Sequence, residues 1–384
     1  MFAEKGKKKI KRVKKKALVA MSGGVDSSVA AKLLVDQGYE VAGIFLHFWK
    51  ENSNKENFEN KCCSTESFMD ARRVCDKIGI PLYTLNFSKI FKKQVVDNFL
   101  NEYKIGRTPN PCVRCNKLVK LGYLIEQAKK LGFNYVATGH YAQKLEIKNQ
   151  KSKIIYKLYK AKDKNKDQSY FLYTFNQDEL KHLLFPLENY TKPRVRRLAR
   201  KFKLPVAEKK ESQEICFIPN KKHNEFLKQH LKLKKGEIKT LDNKIIGKHL
   251  GLPLYVIGQR KGIEIGGGES FYVVKTDYKT NTLYVVNNKT DPALFSKQLI
   301  AGNVNWLSGQ TPKMPFHCQA VIRYHHQAIK CVVTSLLTKT KKENKIKKNS
   351  LLVKFTQPQR AITPGQSVVF YNNNEVAGGG VIKE

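Results

Sequence analysis

The first part of the chain alternates short apolar runs with segments in which apolar residues recur at helical spacing. The apolar runs cover residues 17–21, 40–48, 81–87 and 135–141. Between them, residues such as Ala71, Val74 and Ile78 fall on one face of a helix. Strands that alternate with helices predict an α/β fold with a doubly wound parallel sheet. Ligands of such sheets bind at the carboxyl ends of the strands, so we expect the site there.

From about residue 215 the pattern changes to short strands and glycine-containing turns. Residues 236–274 form a compact β-rich stretch, and strand-like runs recur from about residue 295 with no helical period between them. We therefore predict four parts. They are a basic disordered arm (1–16), an α/β catalytic domain (17–215), a small β-rich central domain (216–294) and a C-terminal β-barrel (295–384), with a lysine-rich hairpin loop at 338–350.

The charge balance is strongly positive. The 384 residues include 72 Lys and Arg against 32 Asp and Glu, a formal net charge of +40, and the sequence pI is about 9.8. So large a positive field attracts polyanions and indicates nucleic acid or an anionic membrane surface as a partner. The alternative is a lysine-rich proteome, since lysines also occur in loops throughout the chain.

Several classes of protein are excluded by the same survey. No run approaches the roughly 20 apolar residues of a membrane span, and residues 1–16 lack the apolar core of a secretory signal. The eight cysteines lack the spacing of a disulfide scaffold. We therefore expect a soluble protein of the reducing cytoplasm, where a Cys-x-x-Cys pair indicates metal binding or catalysis.

The stretch "SGGVDSS" (22–28) lies between a predicted strand and a predicted helix. Glycines let the backbone close around a phosphate, serines donate hydrogen bonds, and the helix dipole favours an anion. The stretch is neither a Walker loop nor a Gly-x-Gly-x-x-Gly turn. The alternative is an ordinary turn capped by Asp26. The density of glycine and serine after an apolar strand favours phosphate binding.

"SGGVDSS" resembles the pyrophosphate loop (PP-loop) of the N-type ATP pyrophosphatases, which adenylate a substrate. Six further motifs resemble, in order, those of the tRNA-specific 2-thiouridylases. They are "GRTPNPCVRCN" (106–116), "ATGHYA" (137–142), "KDQSYFL" (166–172), "SQEICFI" (212–218), "IGQRKG" (257–262) and "AITPGQSVVFY" (361–371). The resemblance covers roughly residues 17–383, and six ordered motifs are more specific than the loop alone.

The resemblance implies an ATP-dependent sulfurtransferase that replaces the C2 oxygen of the wobble uridine (position 34) of tRNA with sulfur. Adenylation of that oxygen makes AMP the leaving group. The residues implied to hold the nucleotide are Ala20, Met21, Ser22, Gly23, Gly24, Val25, Asp26, Ser27, Leu46 and Gly139. Asp26 is also expected to help hold Mg²⁺, a cation that prefers oxygen ligands and bridges phosphates.

Two cysteines are implied to carry the sulfur. Cys216 resembles the persulfide carrier, and Cys115 resembles the partner that breaks the persulfide and leaves a Cys115–Cys216 disulfide. From the residues alone, we expect Cys115 just before a helix that begins near Asn116 or Lys117, where the helix end and Arg114 would activate the thiol. Taken alone, Cys216 within the apolar "ICFI" could equally be an inert buried cysteine.

Cys112 stands where some family members have an aspartate, so a general-base role does not carry over to this position. Cys112, Cys115 and Cys216 together supply three thiolates, enough for an iron–sulfur cluster with one open iron, which is the rival route. Structural zinc is disfavoured because there is no second Cys-x-x-Cys. We favour the persulfide route. The remaining cysteines are interpreted as non-catalytic: Cys62, Cys63, Cys75, Cys318 and Cys331.

A further set of residues is implied to contact tRNA. These are Asn110, Pro111, Cys112, His140, Lys166, Asp167, Gln168, Arg323, Tyr324 and Gln366, and the central domain is expected to bind tRNA as well. His140 alone would more often be structural. The basic helix at 193–203 has a polar face that either binds phosphate or is simply solvated. The family further implies lysine, glutamate and glutamine tRNAs as substrates, and a persulfide donor such as a cysteine desulfurase or sulfur relay protein.

Three rival functions each explain part of the sequence. A small-molecule amidotransferase or synthetase explains the loop but not the paired cysteines or the charge. A 4-thiouridine or 2-thiocytidine RNA sulfurtransferase remains the nearest rival because of the cluster alternative. A non-enzymatic RNA-binding module explains the charge and the barrel, but gives no reason for a phosphate loop beside two thiols.

Overall fold

The computed structural model describes residues 15–49, 64–148, 152–211, 215–218, 222–263, 265, 270–336 and 350–383. Most of the basic arm, the Cys62–Cys63 pair, residues 212–214 of "SQEICFI" and residues 338–349 of the lysine-rich loop lie outside these ranges. Among the helices within them, none combines the length and the apolar character needed to cross a membrane.

A parallel sheet forms the centre of the first domain. Its strands are β1 (Lys16–Met21), β2 (Glu40–His47), β3 (Leu82–Asn86), β4 (Tyr135–Ala137) and β7 (Leu183–Leu184). They stand in the order β3–β2–β1–β4–β7. Val19 of β1 pairs with Gly43 on one side and Ala137 on the other, so β1 lies inside the sheet. The predicted α/β class with a parallel sheet is confirmed.

Helices accompany this sheet on both faces. They are α1 (Val25–Asp36), α2 (Thr65–Ile78), α3 (Ser88–Phe91), α4 (Asp97–Lys104), α5 (Pro111–Cys115), α6 (Gly122–Lys130), α7 (Gln177–His182) and α8 (Lys192–Lys201). Leu18 and Val19 of β1 are both fully buried, but in two different hydrophobic clusters. Because successive strand residues point to opposite faces, both faces are covered, and residues 17–21 of β1 are therefore all apolar.

The central part of the chain is a small sheet preceded by α9 (His223–His230). Its strands are β8 (Gly236–Lys239), β9 (Ile245–His249), β10 (Tyr272–Asp277) and β11 (Thr282–Val286), in the order β10–β11–β8–β9. Ile238, Val273 and Leu283 are fully buried in the same cluster as Phe226 of α9. The predicted small β-rich piece is confirmed.

A closed antiparallel barrel follows. Its strands are β12 (Phe295–Trp306), β13 (Phe316–Val321), β14 (Ile329–Ser335), β15 (Leu351–Arg360), β16 (Ser367–Asn372) and β17 (Glu375–Ile382). They run in the order β12–β15–β14–β13–β16–β17, and β17 pairs back onto β12. The predicted C-terminal barrel is confirmed, although its two closing strands, β12 and β17, were not recognised from the sequence.

A hairpin of the first domain extends the barrel sheet. It consists of β5 (Gln143–Lys148) and β6 (Ile154–Tyr159). Tyr159 pairs with Glu375 of β17, and the side-chain amide of Asn305 in β12 donates to the carbonyl oxygen of Tyr173 at 2.7 Å. The barrel is therefore joined to the α/β part by strand pairing as well as by side chains.

Candidate functional site

The loop between β1 and α1 packs tightly against the first turn of α2. Gly23 has φ of +68°, and a Cβ atom there would lie 2.2 Å from the carbonyl oxygen of Ser67 in α2. Only glycine combines that backbone conformation with so close an approach. The loop is thus held between the end of β1 and the first turn of α2.

The beginning of α1 has no side-chain cap. Its N-cap residue is Gly24. The hydroxyls of Ser27 and Ser28 donate to the carbonyl oxygen of Gly24, at 3.1 and 2.8 Å, and so brace the loop. The alternative of a turn capped by Asp26 is therefore wrong. The first N–H groups of a helix have no partner inside the helix, and an uncapped end after a glycine loop suits an anion.

The other residues implied to hold ATP lie at the same edge of the sheet. Ala20 and Met21 end β1, and Leu46 is the penultimate residue of the neighbouring β2. Gly139 follows β4, and a Cβ atom there would lie 2.7 Å from the backbone nitrogen of Ser27. The carboxyl ends of three strands therefore converge on the loop.

Asp26 points to a buried lysine. The Lys192 ammonium, at the first position of α8, lies 2.7 Å from both carboxylate oxygens of Asp26. The hydroxyl of Tyr141 donates to Asp26 Oδ1 at 2.8 Å, and burial together with the Asp26 charge raises the pKa of Tyr141. A cation held beside an uncapped phosphate-type loop can bind a phosphate oxygen.

Sequence reasoning missed Lys192 and Tyr141. The available signal was the lysine before Pro193, since proline at the first turn marks the start of a helix. That signal places Lys192 at a helix end but not against Asp26, which lies 166 residues earlier in the chain.

A second carboxylate, Glu211, joins this cluster. It accepts from Lys166 at 2.6 Å and lies 3.2 Å from the Lys192 ammonium. Burial opposes ionisation of Glu211, but hydrogen bonds from these two lysines outweigh it and lower the pKa of the carboxyl. Lys166, expected to contact tRNA, is therefore paired within the protein, and an anionic ligand would compete with Glu211 for both cations.

The expected start of the cysteine helix is wrong. α5 begins at Pro111, and the side chain of its N-cap residue Asn110 accepts from the backbone N–H of Val113 at 3.3 Å. An N-cap asparagine followed by proline is a signal for the start of a helix, and the sequence prediction did not use it. The helix continues through a π-helical turn, Asn116–Lys120, into α6.

The correction changes which thiol lies at the helix start. Cys112 is the second residue of α5 and is exposed, whereas Cys115 lies a turn further on and is buried. Arg114 bonds to Gln94, with Nη2 3.1 Å from Oε1. The argument from the helix end therefore applies to Cys112 rather than to Cys115.

Cys216 lies in a short apolar segment packed on the α/β domain. Phe217 is buried, and its ring centroid lies 5.3 Å from that of Phe99 and 5.8 Å from that of Phe91. Cys216 is half-buried and packs against the same hydrophobic cluster that contains Cys115. Its aromatic neighbour therefore anchors the segment while the thiol stays partly accessible.

The three thiols do not form a metal-ligand set in this arrangement. Across the described ranges, no group of three or more His, Cys, Asp or Glu side chains could hold a metal ion. Of the cysteines interpreted as non-catalytic, Cys75 is buried in α2, and Cys318 and Cys331 face each other across β13 and β14 with sulfur atoms 3.5 Å apart.

The barrel holds the segment that precedes α5. The amide of Gln366 donates to the carbonyl oxygens of Thr108 and Pro109 at 2.9 and 3.3 Å, and the N–H of Thr108 donates to Pro364. Arg323 Nη2 donates to the hydroxyl of Thr363 at 3.1 Å in the same region. The structure thus brings together "TPNPC" and "AITPGQ", which are about 250 residues apart.

Aromatic contacts connect this region to the residues after β6. The Tyr324 ring lies 4.4 Å from that of Phe171 and 6.0 Å from that of Tyr170, and the side-chain amide of Asn116, directly after Cys115, donates to the carbonyl oxygen of Phe171 at 3.4 Å. Gln168 accepts from the backbone N–H of Tyr141 at 3.0 Å. A continuous set of contacts therefore runs from Tyr141, beside the phosphate-type loop, to the cysteine helix.

Asp167 and His140 are held by hydrogen bonds within the protein. Asp167 accepts from the N–H of Ala161 and from the hydroxyl of Ser169, both at 2.9 Å. Burial nevertheless raises the pKa of Asp167. His140 Nδ1 lies 2.8 Å from the Thr138 hydroxyl, and burial lowers the pKa of His140 to about 3. His140 is therefore neutral at physiological pH.

The free energy of unfolding should fall on acidification because of His140. Its folded pKa of about 3 lies below the ordinary value of 6.5, so between these values only the unfolded chain takes up the proton. We expect His140 to account for a loss of about 2 kcal/mol between pH 7 and pH 5. Urea unfolding of His140→Asn and of the exposed His317→Asn at both pH values tests this. Equal pH dependence in the two variants would contradict it.

Comparisons with known proteins cover nearly the whole chain. Three family models match: "tRNA methyl transferase HUP domain" over residues 15–220, "tRNA methyl transferase PRC-barrel domain" over 224–287 and "Aminomethyltransferase beta-barrel domain" over 296–382. A protein of Carboxydothermus hydrogenoformans, named tRNA-specific 2-thiouridylase MnmA, is 44% identical over 97% of this chain and 98% of its own length. A protein with the same name from Clostridium botulinum (strain Eklund 17B) is 44% identical over 96% of this chain and 98% of its own length. One from Idiomarina loihiensis is 42% identical over 96% of this chain and 96% of its own length.

Proposed function

This chain belongs to the family of tRNA-specific 2-thiouridylases, and from that membership and the site geometry we propose that it uses ATP and a persulfide to thiolate C2 of uridine 34 in tRNA. The observation that carries the proposal is the arrangement at one sheet edge. An uncapped glycine loop lies there beside Asp26 and the buried Lys192 that pairs with it, and hydrogen bonds and ring contacts connect that pair to a helix bearing two cysteines.

The first step is adenylation of the uridine oxygen. ATP phosphates would lie against the start of α1, where backbone N–H groups and the helix dipole stabilise negative charge. Lys192 would exchange Asp26 and Glu211 for phosphate oxygens, which neutralises charge that develops on the departing pyrophosphate. Mg²⁺ would bind mainly through the phosphates, with Asp26 as the protein oxygen ligand once Lys192 has moved.

The second step is sulfur transfer. The terminal sulfur of a Cys216 persulfide attacks C2 of the adenylated uridine. The Cys115 thiolate then attacks the Cys216 sulfur, the sulfur–sulfur bond breaks towards C2, and AMP leaves as the C2=S bond forms. The products are 2-thiouridine, AMP and a Cys115–Cys216 disulfide, which an external thiol must reduce. We propose this route because both thiols pack on one hydrophobic cluster and no three-thiolate set is present in the described residues.

Partners and domain roles follow from the same proposal. The sulfur would come from a cysteine desulfurase or relay protein that loads Cys216, and the substrates would be lysine, glutamate and glutamine tRNAs. We place the protein in the cytoplasm, where reducing conditions keep cysteines as thiols. Residues 17–215, together with Cys216 at the start of the central piece (216–294), would carry the chemistry, and the rest of that piece and the barrel (295–384) would position the tRNA.

Mass spectrometry of tRNA nucleosides from a deletion strain tests the function. We expect loss of 2-thiouridine derivatives alone, and chromatography of purified turnover mixtures should show AMP and pyrophosphate. Loss of 4-thiouridine or 2-thiocytidine instead would select another RNA sulfurtransferase. ADP as the main nucleotide product would contradict a PP-loop mechanism.

Affinity for tRNA should fall steeply with salt, because each neutralised phosphate releases counterions. With a net charge of +40, we expect a loss of about 10³-fold or more between 50 and 200 mM salt. Arg323→Ala should weaken binding with or without ATP and reduce the slope of log affinity against log salt by about one. The exposed barrel variant Lys354→Ala is the control. A flat salt response would contradict the role of the charge in RNA binding.

A further inference from the structure

A cavity of about 810 Å³ lies beside the site, between the loop that joins β13 to β14 and the residues that follow β6. The barrel loop contributes residues 324–328, and the first domain contributes residues 160–170. Tyr371 and Asn374, at the end of β16 and in the turn after it, complete the wall. This is enough room for one nucleotide, and neither the residues implied to hold ATP nor the two catalytic cysteines line it.

The cavity has aromatic faces that a base can stack on. The Tyr324 and His325 rings lie 3.8 Å apart between centroids, and His325 is exposed. His325 adopts φ of +65°, a left-handed conformation that is uncommon for residues other than glycine and that concentrates at functional sites. The hairpin loop therefore holds an exposed imidazole against a tyrosine at the mouth of the cavity.

The cavity also carries positive charge. The Lys160 ammonium lies 4.3 Å from the centre of the Tyr371 ring, and burial lowers the pKa of Lys160. Lys164 is exposed and makes no ion pair with a carboxylate in the described ranges. The cavity's one carboxylate, Asp167, is turned to hydrogen bonds from Ala161 and Ser169. The positive potential of Lys160 and Lys164 therefore favours binding of an anion such as a phosphodiester.

The cavity shares a wall with the cysteine helix. Tyr170 lines the cavity, and the side-chain amide of Asn116, directly after Cys115, donates to the carbonyl oxygen of the neighbouring Phe171 at 3.4 Å. Burial, then the charge of Asp167 and lastly that of the nearby Cys112, raises the pKa of Tyr324 to about 12. The rings of Tyr170 and Tyr324 would therefore separate a nucleotide in the cavity from the uridine that reacts at the cysteine helix. Aromatic side chains separate adjacent bases of an unstacked RNA strand in the same way.

We propose that this cavity binds the nucleotide adjacent to the reacting uridine in the RNA strand, its base stacked on Tyr324 and His325 and its phosphate held by Lys160 and Lys164. The inference rests on the proposed function, since it needs a single-stranded RNA loop at α5. Aromatic stacking and lysine contacts together are the usual means of holding an unpaired nucleotide. The cavity would thereby fix the register of the strand and select which uridine reaches the thiols.

The test measures binding of anticodon stem-loop RNA to the full chain by fluorescence anisotropy, without ATP or sulfur donor. In separate RNAs, the nucleotide on either side of the target uridine is made abasic. We expect one of the two abasic RNAs to bind about tenfold more weakly to the wild-type protein, the size of one lost stacking interaction. Two abasic RNAs that bind as well as the intact RNA would overturn the proposal.

A protein variant identifies the cavity as the place where that base binds. The double variant Lys164→Ala/His325→Ala should bind intact RNA more weakly and show no further loss with the abasic RNA. The matched control Lys354→Ala/His317→Ala removes the same side-chain types from exposed barrel positions and should keep the tenfold penalty. A penalty that persists in the cavity variant would place the base elsewhere.

These outcomes are independent of the chemistry. If the chain thiolates a different base, or does not thiolate at all, the abasic penalty and its loss in the cavity variant can still be measured. If thiolation is confirmed but the penalty is insensitive to the cavity variant, this inference fails and the proposed function stands. Absence of any RNA binding would overturn both.

Discussion

Replacing either Cys115 or Cys216 by serine should stop 2-thiouridine formation, by about 10³-fold or more. A hydroxyl cannot carry a persulfide at position 216, and it is too weak a nucleophile to break one from position 115. Adenylation uses neither thiol, so the single-turnover burst of pyrophosphate with tRNA should persist in both variants. Nucleoside mass spectrometry and a pyrophosphate assay on the same samples check the two halves of this expectation.

Three other cysteines serve as controls. Cys112→Ser should reduce thiolation only mildly, because Cys112 has no part in a Cys115–Cys216 disulfide. Cys75→Ser and Cys318→Ser, in α2 and β13, should leave activity unchanged. An inactive Cys112→Ser variant, together with stoichiometric iron and labile sulfide in anaerobically purified protein, would select the iron–sulfur route instead.

Removing the Asp26–Lys192 pair should stop adenylation of the uridine. We expect Asp26→Asn and Lys192→Met each to lower pyrophosphate release by about 10²- to 10³-fold, the usual cost of losing one electrostatic contact to a transition state. The affinity for tRNA should change little, since the polyanion is held mainly by other cations. Quench-flow measurement of pyrophosphate release and equilibrium binding to tRNA separate the two effects.

Each single variant also removes the nearest opposite charge from the residue that remains, which can destabilise the fold by about 3–5 kcal/mol when the pair is buried. Lys192 is buried whereas Asp26 is about a third exposed, so the cost should be lower here. The double variant Asp26→Asn/Lys192→Met leaves neither charge behind and should fold with near-normal thermal stability yet remain inactive. Lys201→Met, at the exposed far end of α8, is the matched control. Normal pyrophosphate release by the double variant would show that the pair is only structural.

Local patterns were sufficient for much of the fold. The apolar run 17–21, the glycine–serine loop after it and the helical spacing that follows each depend on neighbouring residues, and they predicted a strand, a phosphate-type loop and a helix. The change to short strands near residue 215 predicted the β-rich second half in the same way. The loop's position at the sheet edge then followed from the general topology of parallel sheets.

Local patterns failed where a segment's role is set by distant residues. The sequence analysis placed a helix start near Asn116 or Lys117, but Asn110 and Pro111 start the helix at least five residues earlier. Strands β12 and β17 carry weak strand signals, and their pairing with each other completes the barrel. The stability of a β-strand depends largely on its packing against the partner strands. The sequence of one strand alone is therefore a weak predictor of that strand.

The sequence by itself determined the fold class, the order of the domains and the family, because periodicity, glycine placement and ordered motifs are properties of the linear chain. Only the tertiary structure decided that Lys192 lies against Asp26, that Gln366 holds the backbone before α5, and that Tyr324 and His325 share a cavity with Lys160. Each of these contacts joins residues that are more than 150 positions apart. Their side-chain directions depend on how the helices, sheet and barrel pack, and no local pattern encodes that packing.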